Sequence, residues 1–367
     1  MDSSTLFGIS TFAYFVAMAV YFSYIAFRKN VVAVTATAVT AFGFLCQTGA
    51  LLLRWIDSFD VWVASAPSTT FIESVLRGAP LRNMYESMVF FVWCVVLIYL
   101  ITEFKYKNRS LGAFVMPVAA LALAFIDVSG MSTEIEPLIP ALQSNWLLFH
   151  VFMSFIGYAA FGVSFAAAVA YIVIVTESKS EKAYILWSIA VGIFLIVLIA
   201  MGLDYLNMST SAQGDMRSYF LKTTFRNPSG GIAVLSWLMS AALILVLWRY
   251  GHGLRKVLEG LSITKIMLEE IEYKSIAIGF PLFTIGGLIM GAIWANSAWG
   301  TYWSWDPKEV WSLITWFIYA GYLHARFVGG WRGKKVAVLA LIGFVGVVFT
   351  YLGVNIFLSG LHSYGGR

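Results

Sequence analysis

The sequence predicts an all-α fold, a polytopic membrane helix bundle of about ten transmembrane helices. Of its 367 residues, 60% are hydrophobic and only 12% are charged, and the mean hydropathy is +0.81. A soluble domain has about half apolar and about a quarter charged residues. Apolar runs of about 18 residues or more recur along the whole chain, and each is long enough to cross about 30 Å of hydrocarbon as a helix. The lipid bilayer is therefore expected to be the main solvent of this chain.

Ten apolar runs predict the transmembrane helices in chain order. They lie at about 6–27, 31–53, 86–102, 111–128, 147–176, 184–203, 231–249, 274–294, 308–326 and 336–357. The stretch 250–273 has leucines at helical spacing with basic residues between them, which predicts an interfacial helix. Because no linker or low-complexity tract interrupts the pattern, residues 1–367 are expected to form a single integral membrane domain.

The basic residues of the loops predict the orientation. If the loops alternate in side, 16 of the 24 Lys and Arg residues fall in one set of loops. Cytoplasmic loops are enriched in Lys and Arg, so this set is predicted to face the cytoplasm. Both termini and the longer loops are then expected to be extracytoplasmic. These loops are 54–85, 129–146, 204–230 and 295–307. The first ten residues lack a basic n-region and a cleavage site, so the first run is expected to be a retained helix.

A tryptophan-rich segment joins the eighth and ninth predicted helices. Residues 294–316 contain six tryptophans. Any one of them fits an interfacial aromatic belt. The density of the cluster, with Gly300 permitting close backbone approach and Asp306-Pro307 fixing a turn before the next helix, favours a platform for a flat apolar ligand. A porphyrin is such a ligand, since it binds through stacking and apolar burial.

The four histidines differ in their predicted depth. His150 lies at the outer start of the fifth predicted helix and His362 just beyond the outer end of the tenth, at the depth of the tryptophan loop. Haem iron is held by axial ligands such as histidine, and these two residues would supply both axial positions. His324 lies within the ninth predicted helix, where burial of an ionisable group is costly and indicates function. His252, in a basic loop, is expected to be solvated.

Cysteine spacing and net charge exclude other classes of site. Cys46 and Cys94 lie in apolar runs without CxxC spacing, which predicts neither a disulfide framework nor a zinc or redox motif. The net charge of +5 is distributed over the loops, and we expect no nucleic-acid partner.

Several segments resemble one family. The segment WGTYWSWDPKE is similar to the tryptophan-rich WWD signature of haem-handling proteins. The surrounding segments resemble, in order, the CcsA/ResC family of System II cytochrome c biogenesis, over about two thirds of the chain. These segments are LLLRWIDS, APLRNMYES, PALQSNWLLFHVFMSFIGYAAF, GFPLFTIGGLIMGAIWANSAWGTYWSWDPKE, ITWFIYAGYLHAR and GVNIFLSGLHSYG.

The resemblance implies a set of site residues for haem b. His150 and His362 match the two external axial ligands of the family, and His324 matches its intramembrane histidine, which receives haem from the cytoplasmic side. The residues that match the signature around the external haem are Trp299, Gly300, Trp303, Trp305 and Asp306. No catalytic acid or base is implied.

The resemblance also implies a function. The chain is expected to be the haem-handling subunit of a cytochrome c synthase in the bacterial cytoplasmic membrane, with its functional loops facing the periplasm or cell exterior. It would present haem for thioether attachment to the CxxCH motif of apocytochrome c. A ResB/CcsB-like partner would contribute a large external domain and a further histidine, neither of which is found in this sequence.

Three features depart from the family pattern. The runs at 184–203 and 231–249 form an additional two-helix insertion, 184–249. Gly78 and Ala79 precede Pro80 where the family often has a histidine, so no role is transferred to that position. Ser297 stands where the family often has Glu, so no acid function is assigned there.

Three alternative functions remain open from the sequence. The chain could export haem to a separate chaperone or ligase, as the related CcmC proteins do; a neighbouring ResB-like gene would favour the synthase instead. It could be a channel or proton-coupled carrier, but that function expects acidic residues or Lys within helices, and here they cluster at helix ends. It could be a structural subunit with belt tryptophans, in which case the purified chain would lack a Soret band.

Overall fold

The computed structural model describes residues 2–65, 70–81, 83–129, 133–135, 143–189, 191–192, 230–261 and 263–358. The regular elements in these residues are all helical. The α-helices are α1 (Ser3–Phe27), α2 (Asn30–Ser65), α3 (Phe71–Arg77), α4 (Met84–Tyr106), α5 (Gly112–Ser129), α6 (Asn145–Val175), α7 (Gly230–Tyr250), α8 (His252–Glu259), α9 (Lys265–Phe283), α10 (Gly291–Trp299), α11 (Pro307–Phe327), α12 (Lys334–Val348) and α13 (Val354–Phe357). Two π-helical segments, π1 (Thr284–Met290) and π2 (Phe349–Gly353), join α9 to α10 and α12 to α13.

Six helical rods in the described part of the chain are long and apolar enough to cross a membrane. They are α1, α2, α4, α6, the continuous α9–π1–α10 rod and the α12–π2 rod. The chain is therefore a multi-pass membrane protein, as the composition predicted. Helices also cover the predicted runs at 111–128, 231–249 and 308–326, whereas most of the run at 184–203 lies outside the described residues. The total of ten spans and the outward termini stay predictions.

Three predicted boundaries differ from the structure. The expected loop 54–85 is largely helical, because α2 continues to Ser65 and α3 follows. The charge of Arg54 suggested a helix end, but Glu86 neutralises that charge with an ion pair of 2.8 Å inside the protein. The tryptophan loop is shorter than 295–307, because α10 ends at Trp299. The prediction of one helix over 250–273 is wrong in extent, since α8 ends at Glu259 and α9 begins at Lys265. An interfacial location of this stretch stays a prediction.

Short polar side chains define where several helices begin. The side-chain oxygens of Asn83, Ser144 and Thr264 accept hydrogen bonds from backbone N–H groups in the first turns of α4, α6 and α9, at 2.8, 3.3 and 3.2 Å. Each satisfies a donor that has no partner within its helix. The helix starts are therefore encoded locally.

Helix α6 is the centre of the bundle. Its residues from Ser154 to Val175 are almost all buried, on every face of the helix. A helix that is apolar all round is a core helix, and α4, α9 and α12 pack against it. Because α6 begins at Asn145, this packing holds the first turns of α6 against the ends of its neighbours. His150 lies in those first turns.

The predicted cytoplasmic loops meet at one end of the bundle. The Arg28 guanidinium donates to the Val257 carbonyl at 3.1 Å, and that of Arg255 donates to the Thr176 carbonyl at 2.8 Å. Through these two contacts, the stretch 250–273 meets both the loop after α1 and the end of α6. Such contacts are expected if successive loops alternate between the two sides of the membrane. Which end faces the cytoplasm stays a prediction from the charge distribution.

Candidate functional site

The tryptophan loop is a short, tightly held connection between α10 and α11. Gly300 ends α10 with φ of +76°, a left-handed conformation that glycine adopts without steric cost. Asp306 begins α11 as its N-cap, and its carboxylate accepts from the backbone N–H of Lys308 at 3.1 Å. The loop proper is therefore only 301–305, with a defined helix end on either side.

Glu309 fixes the loop from within. Its buried carboxylate accepts from the backbone N–H of Ser304 at 2.8 Å and of Asp306 at 3.3 Å, and from the Ser304 hydroxyl at 3.1 Å. With the Asp306 side chain this forms a capping box at the start of α11. The described contacts of Asp306 and Glu309 therefore shape the loop that carries the tryptophans.

His150 is oriented by the π-helical segment opposite it. Its Nδ1 lies 2.8 Å from the carbonyl oxygen of Gly286 in π1. Because a carbonyl oxygen only accepts, Nδ1 carries the proton in this contact and Nε2 is the nitrogen with the lone pair. The imidazole also stacks on Trp294, with ring centroids 6.0 Å apart and planes 14° apart. Such backbone anchoring of one nitrogen is typical of a histidine whose other nitrogen is a metal ligand.

The tryptophans occupy different depths. Trp294 is buried and contacts Trp299 edge to face, with centroids 4.8 Å apart. Trp303 is half-buried and contacts Trp305 edge to face at 5.9 Å. Trp305 is 71% exposed. The sequence predicted this cluster as a platform. In the structure, solvent exposure of its members increases from the buried Trp294 to the exposed Trp305.

An open cavity lies beneath the loop. Its wall is formed by the starts of α4, α6 and α11, by π1 and α10, by the tryptophan loop and by the π2 region. Residues important for its chemistry are His150, Trp294, Tyr302, Trp303, Lys308 and Tyr351. Of the site residues predicted from the sequence, His150 and Trp303 line this cavity. Trp299 lies behind Trp294, whereas Gly300 and Asp306 form the two ends of the loop.

Two cavity residues were not identified from the sequence. Lys308 was not assigned to the site from the sequence, yet its side chain lines the cavity and its Nζ lies 5.7 Å from the centroid of the Tyr351 ring. The Tyr351 hydroxyl shares a hydrogen bond of 2.6 Å with the Ser87 hydroxyl, which joins π2 to α4. The lysine could have been noticed as a cation next to the aromatic cluster. The role of Tyr351 depends on tertiary packing and has no local signal.

The other predicted histidines are not in the described cavity. His324 is exposed in the last turn of α11, about 24 Å from Lys308 along the helix at 1.5 Å per residue. Its neighbours Tyr322 and Arg326 are buried, so His324 lies on the outward face of α11. His362 lies outside the described residues. The pairing of His150 with His362 therefore stays a prediction.

Buried carboxylates elsewhere in the bundle are paired with hydrogen-bond donors. Glu103 accepts from the Tyr99 hydroxyl at 2.5 Å and the Tyr21 hydroxyl at 3.0 Å. Glu272 accepts from the Tyr322 hydroxyl at 3.0 Å.

His252, expected to be solvated, is half-buried, and its Nε2 lies 3.0 Å from the Glu177 carbonyl oxygen. These contacts join helices and supply hydrogen bonds that buried polar groups require.

The amino-acid sequence is similar to those of known proteins. Residues 81–362 match the family described as "Cytochrome C assembly protein". A protein of Gloeobacter violaceus named "Cytochrome c biogenesis protein CcsA" is 37% identical over 357 residues, covering 96% of this chain and 93% of that protein. Proteins of the same name from Microcystis aeruginosa and Chlorella vulgaris are 40% and 35% identical, over 78% and 90% of this chain and 79% and 86% of their own lengths.

Proposed function

Because the chain belongs to the cytochrome c assembly protein family, we propose that it is the haem-handling membrane subunit of a cytochrome c synthase. Its role is in cytochrome c maturation, and its relatives carry the name of the CcsA biogenesis protein. In our proposal it holds haem b at the cavity beneath the tryptophan loop. The cavity then faces the periplasm or cell exterior of a bacterial cytoplasmic membrane.

The observation that carries the proposal is the environment of His150. A half-buried imidazole faces an aromatic cavity, and the carbonyl of Gly286 holds its Nδ1 at 2.8 Å. Such anchoring fixes the ring and leaves Nε2 as the basic nitrogen. A solvated or merely packed histidine needs neither the π-helical carbonyl nor the stacked Trp294. Axial ligation of haem iron needs both a fixed ring and a basic nitrogen.

The cavity residues fit a porphyrin in three respects. Trp294, Trp303 and Tyr302 provide flat apolar surface for the macrocycle. His150 provides a nitrogen ligand for iron. Lys308 provides a positive charge at one wall, which suits a ligand that carries carboxylates. Neither a channel nor a belt of interfacial tryptophans requires these three features in one cavity.

In the proposed reaction, two thiols of an apocytochrome CxxCH motif add across the two vinyl groups of haem. The residues of this chain bind and orient the substrate at the membrane surface, which makes the addition nearly intramolecular. Orientation of this kind lowers the activation free energy by on the order of 7–11 kcal/mol. No acid or base is assigned, and the thiolate of the apocytochrome is the nucleophile. Attachment is therefore expected to be faster as pH rises toward the pKa of those thiols.

The remaining parts of the proposal come from the sequence. His362 is proposed as the second axial ligand, and His324 as the residue that receives haem within the membrane on its way to the cavity. Trp299, Gly300, Trp305 and Asp306 are proposed to complete the haem-binding loop. A ResB/CcsB-like membrane protein is proposed as the partner, with apocytochrome c as the second substrate.

Absorption spectra of the purified full-length chain test this function. We compare the parent chain with His150→Ala, His324→Ala and His362→Ala, each isolated from haem-replete cells. The parent is expected to show a Soret band, the two outer changes to lose haem or alter its ligation, and His324→Ala to reduce loading. His252→Ala, at the opposite end, is the control and is expected to leave the spectrum unchanged.

Three results would contradict the proposal. A purified parent chain without haem would favour a structural subunit. Spectra unchanged by all three histidine substitutions would exclude the assigned ligands. Haem that this chain transfers to a separate soluble chaperone, without thioether formation in the presence of a ResB-like partner, would favour the export alternative.

A further inference from the structure

Two hydrogen-bond donors of the cavity wall lack a good acceptor within the described part of the chain. The Trp303 Nε1 is buried and has no hydrogen-bond partner there. The Lys308 ammonium has one described hydrogen bond, of 3.5 Å, to the amide oxygen of Asn355. That distance is at the limit of the interaction, and the acceptor is neutral. Both side chains line the same cavity.

The nearby carboxylates accept hydrogen bonds from the loop and from the start of α11. Asp306 accepts from the N–H of Lys308, and both oxygens of Glu309 accept from Ser304. The charge of Asp306 acts on Lys308 electrostatically, but among the described residues Lys308 forms no ion pair with an acidic side chain. It also lies at the start of α11, where the helix dipole adds partial positive charge. The wall around Lys308 is therefore suited to a negatively charged group.

A ligand carboxylate would satisfy both donors. A buried polar group without a partner is costly, and hydrogen bonds between charged groups are about twice as strong as neutral ones. Haem carries two propionate carboxylates. On the basis of the proposed function, we propose that Lys308, assisted by the indole N–H of Trp303, forms the subsite that binds a propionate carboxylate of haem.

This subsite gives the cavity a preferred orientation for haem. Propionates and vinyl groups occupy opposite halves of the porphyrin. A propionate held at Lys308, on the wall formed by α11, directs the vinyl half away from that wall. His150, on α6, fixes the position of the iron independently. Lys308 is thus a positioning residue, and it determines which edge of haem is presented to the apocytochrome.

Binding of haem and of haem dimethyl ester tests the subsite. Both ligands are titrated into the haem-stripped full-length chain in detergent, followed by absorption, for the parent, Lys308→Met and Lys308→Arg. The parent is expected to bind haem about 10- to 100-fold more tightly than the ester, which lacks the carboxylate charge. This ratio is expected to fall close to 1 in Lys308→Met and to persist in Lys308→Arg. Trp303→Phe is expected to reduce the ratio about threefold.

The ester provides an internal control for folding. Because it does not use the charge of Lys308, it should bind Lys308→Met and the parent equally well. Lys265→Met, an exposed lysine at the start of α9, is the matched control and should keep the parent ratio. If Lys308→Met does not fold, Lys308→Gln replaces it. A Lys308 variant that binds ester normally and keeps the parent ratio would overturn the subsite and leave the proposed function intact. A parent chain that binds neither ligand would refute the proposed function itself.

Discussion

Trp305 has a backbone conformation that bulky residues rarely adopt. Its φ is +58°, and its side chain is 71% exposed. A non-glycine residue in this region costs on the order of 1–3 kcal/mol. A turn alone would be better served by glycine, as it is at Gly300. We therefore attribute the presence of Trp305 to its indole, which stands at the surface beside Trp303.

Trp305→Gly separates the backbone cost from the use of the indole. Relief of the left-handed strain offsets the lost contact with Trp303, so the thermal midpoint of the haem-free chain is expected to be unchanged or higher. Haem affinity is expected to fall about 3- to 10-fold, the size of one aromatic contact. Trp305→Phe, which keeps an aromatic ring and the strain, should retain most of the affinity. Parent-like haem binding by Trp305→Gly would show that the indole is dispensable.

At the residue scale, the types of residue at the candidate site were easier to predict from the sequence than the contacts that they make. The position of His150 in the first turns of a helix could be inferred, because it lies at the start of an apolar run. The side of the membrane that it faces stays a prediction from helix alternation. The anchoring of His150 by the Gly286 carbonyl could not be inferred, since the partner is 136 residues away. Lys308 was missed for the same reason: its neighbours Tyr351 and Asn355 come from the far end of the chain.

Both π-helical segments lie against the cavity. π1 supplies the carbonyl that contacts His150, and π2 supplies Tyr351. A π-helical turn is wider than an α-helical turn and frequently occurs at functional sites. Pro281, which has no N–H, precedes π1. Apolar periodicity predicted both rods as continuous helices. It does not detect a short π-helical segment within them, because the rods are apolar on most faces.

Gly291→Ala tests the contact between this rod and His150. A Cβ atom at Gly291 would lie 2.9 Å from Cε1 and Nδ1 of His150, so the imidazole must move. We expect a shifted Soret band and haem affinity reduced about tenfold or more. The helix itself should become more stable, because alanine has a higher helix propensity than glycine. Gly321→Ala in α11 is the matched control, because a Cβ there meets nothing within 4 Å. A spectrum and affinity equal to those of the control would show that the position of the ring is not important for binding.

The chain as a whole has two ends with different chemistry. One end contains the cavity, the tryptophan loop and the buried ion pair of Arg54 with Glu86. The other end contains the loops rich in Lys and Arg, which contact one another through side chains and helix-end carbonyls. Charge alternation predicted this separation, because it counts residues per loop and needs no tertiary contact. The extent of α2 was not predictable, since it depends on the partner that Arg54 finds in Glu86. The division of 250–273 does have a local signal, the N-cap Thr264, which the leucine spacing alone does not register.

An ion pair at the basic end gives the bundle a pH-dependent connection. Lys334, at the start of α12, donates to Glu181, in the loop that follows α6. Chiefly through this hydrogen bond, the lysine lowers the pKa of Glu181 to about 2 from the usual 4.5. The folded state therefore disfavours protonation of this carboxylate. Its contribution to the free energy of unfolding is present above pH 4.5 and is lost as the pH falls toward 2.

Lys334→Met is expected to lower the thermal midpoint of the detergent-solubilised chain slightly at pH 6. The pair is partly exposed, so the difference corresponds to at most about 1 kcal/mol. Because Glu181 becomes protonated in both chains, the difference between parent and variant should disappear between pH 4.5 and about 2. Lys265→Met should show no such pH-dependent difference. A difference in thermal midpoint that persists unchanged at pH 2 would mean that Lys334 stabilises the end of the bundle by packing. Its charge would then not couple the loop after α6 to α12.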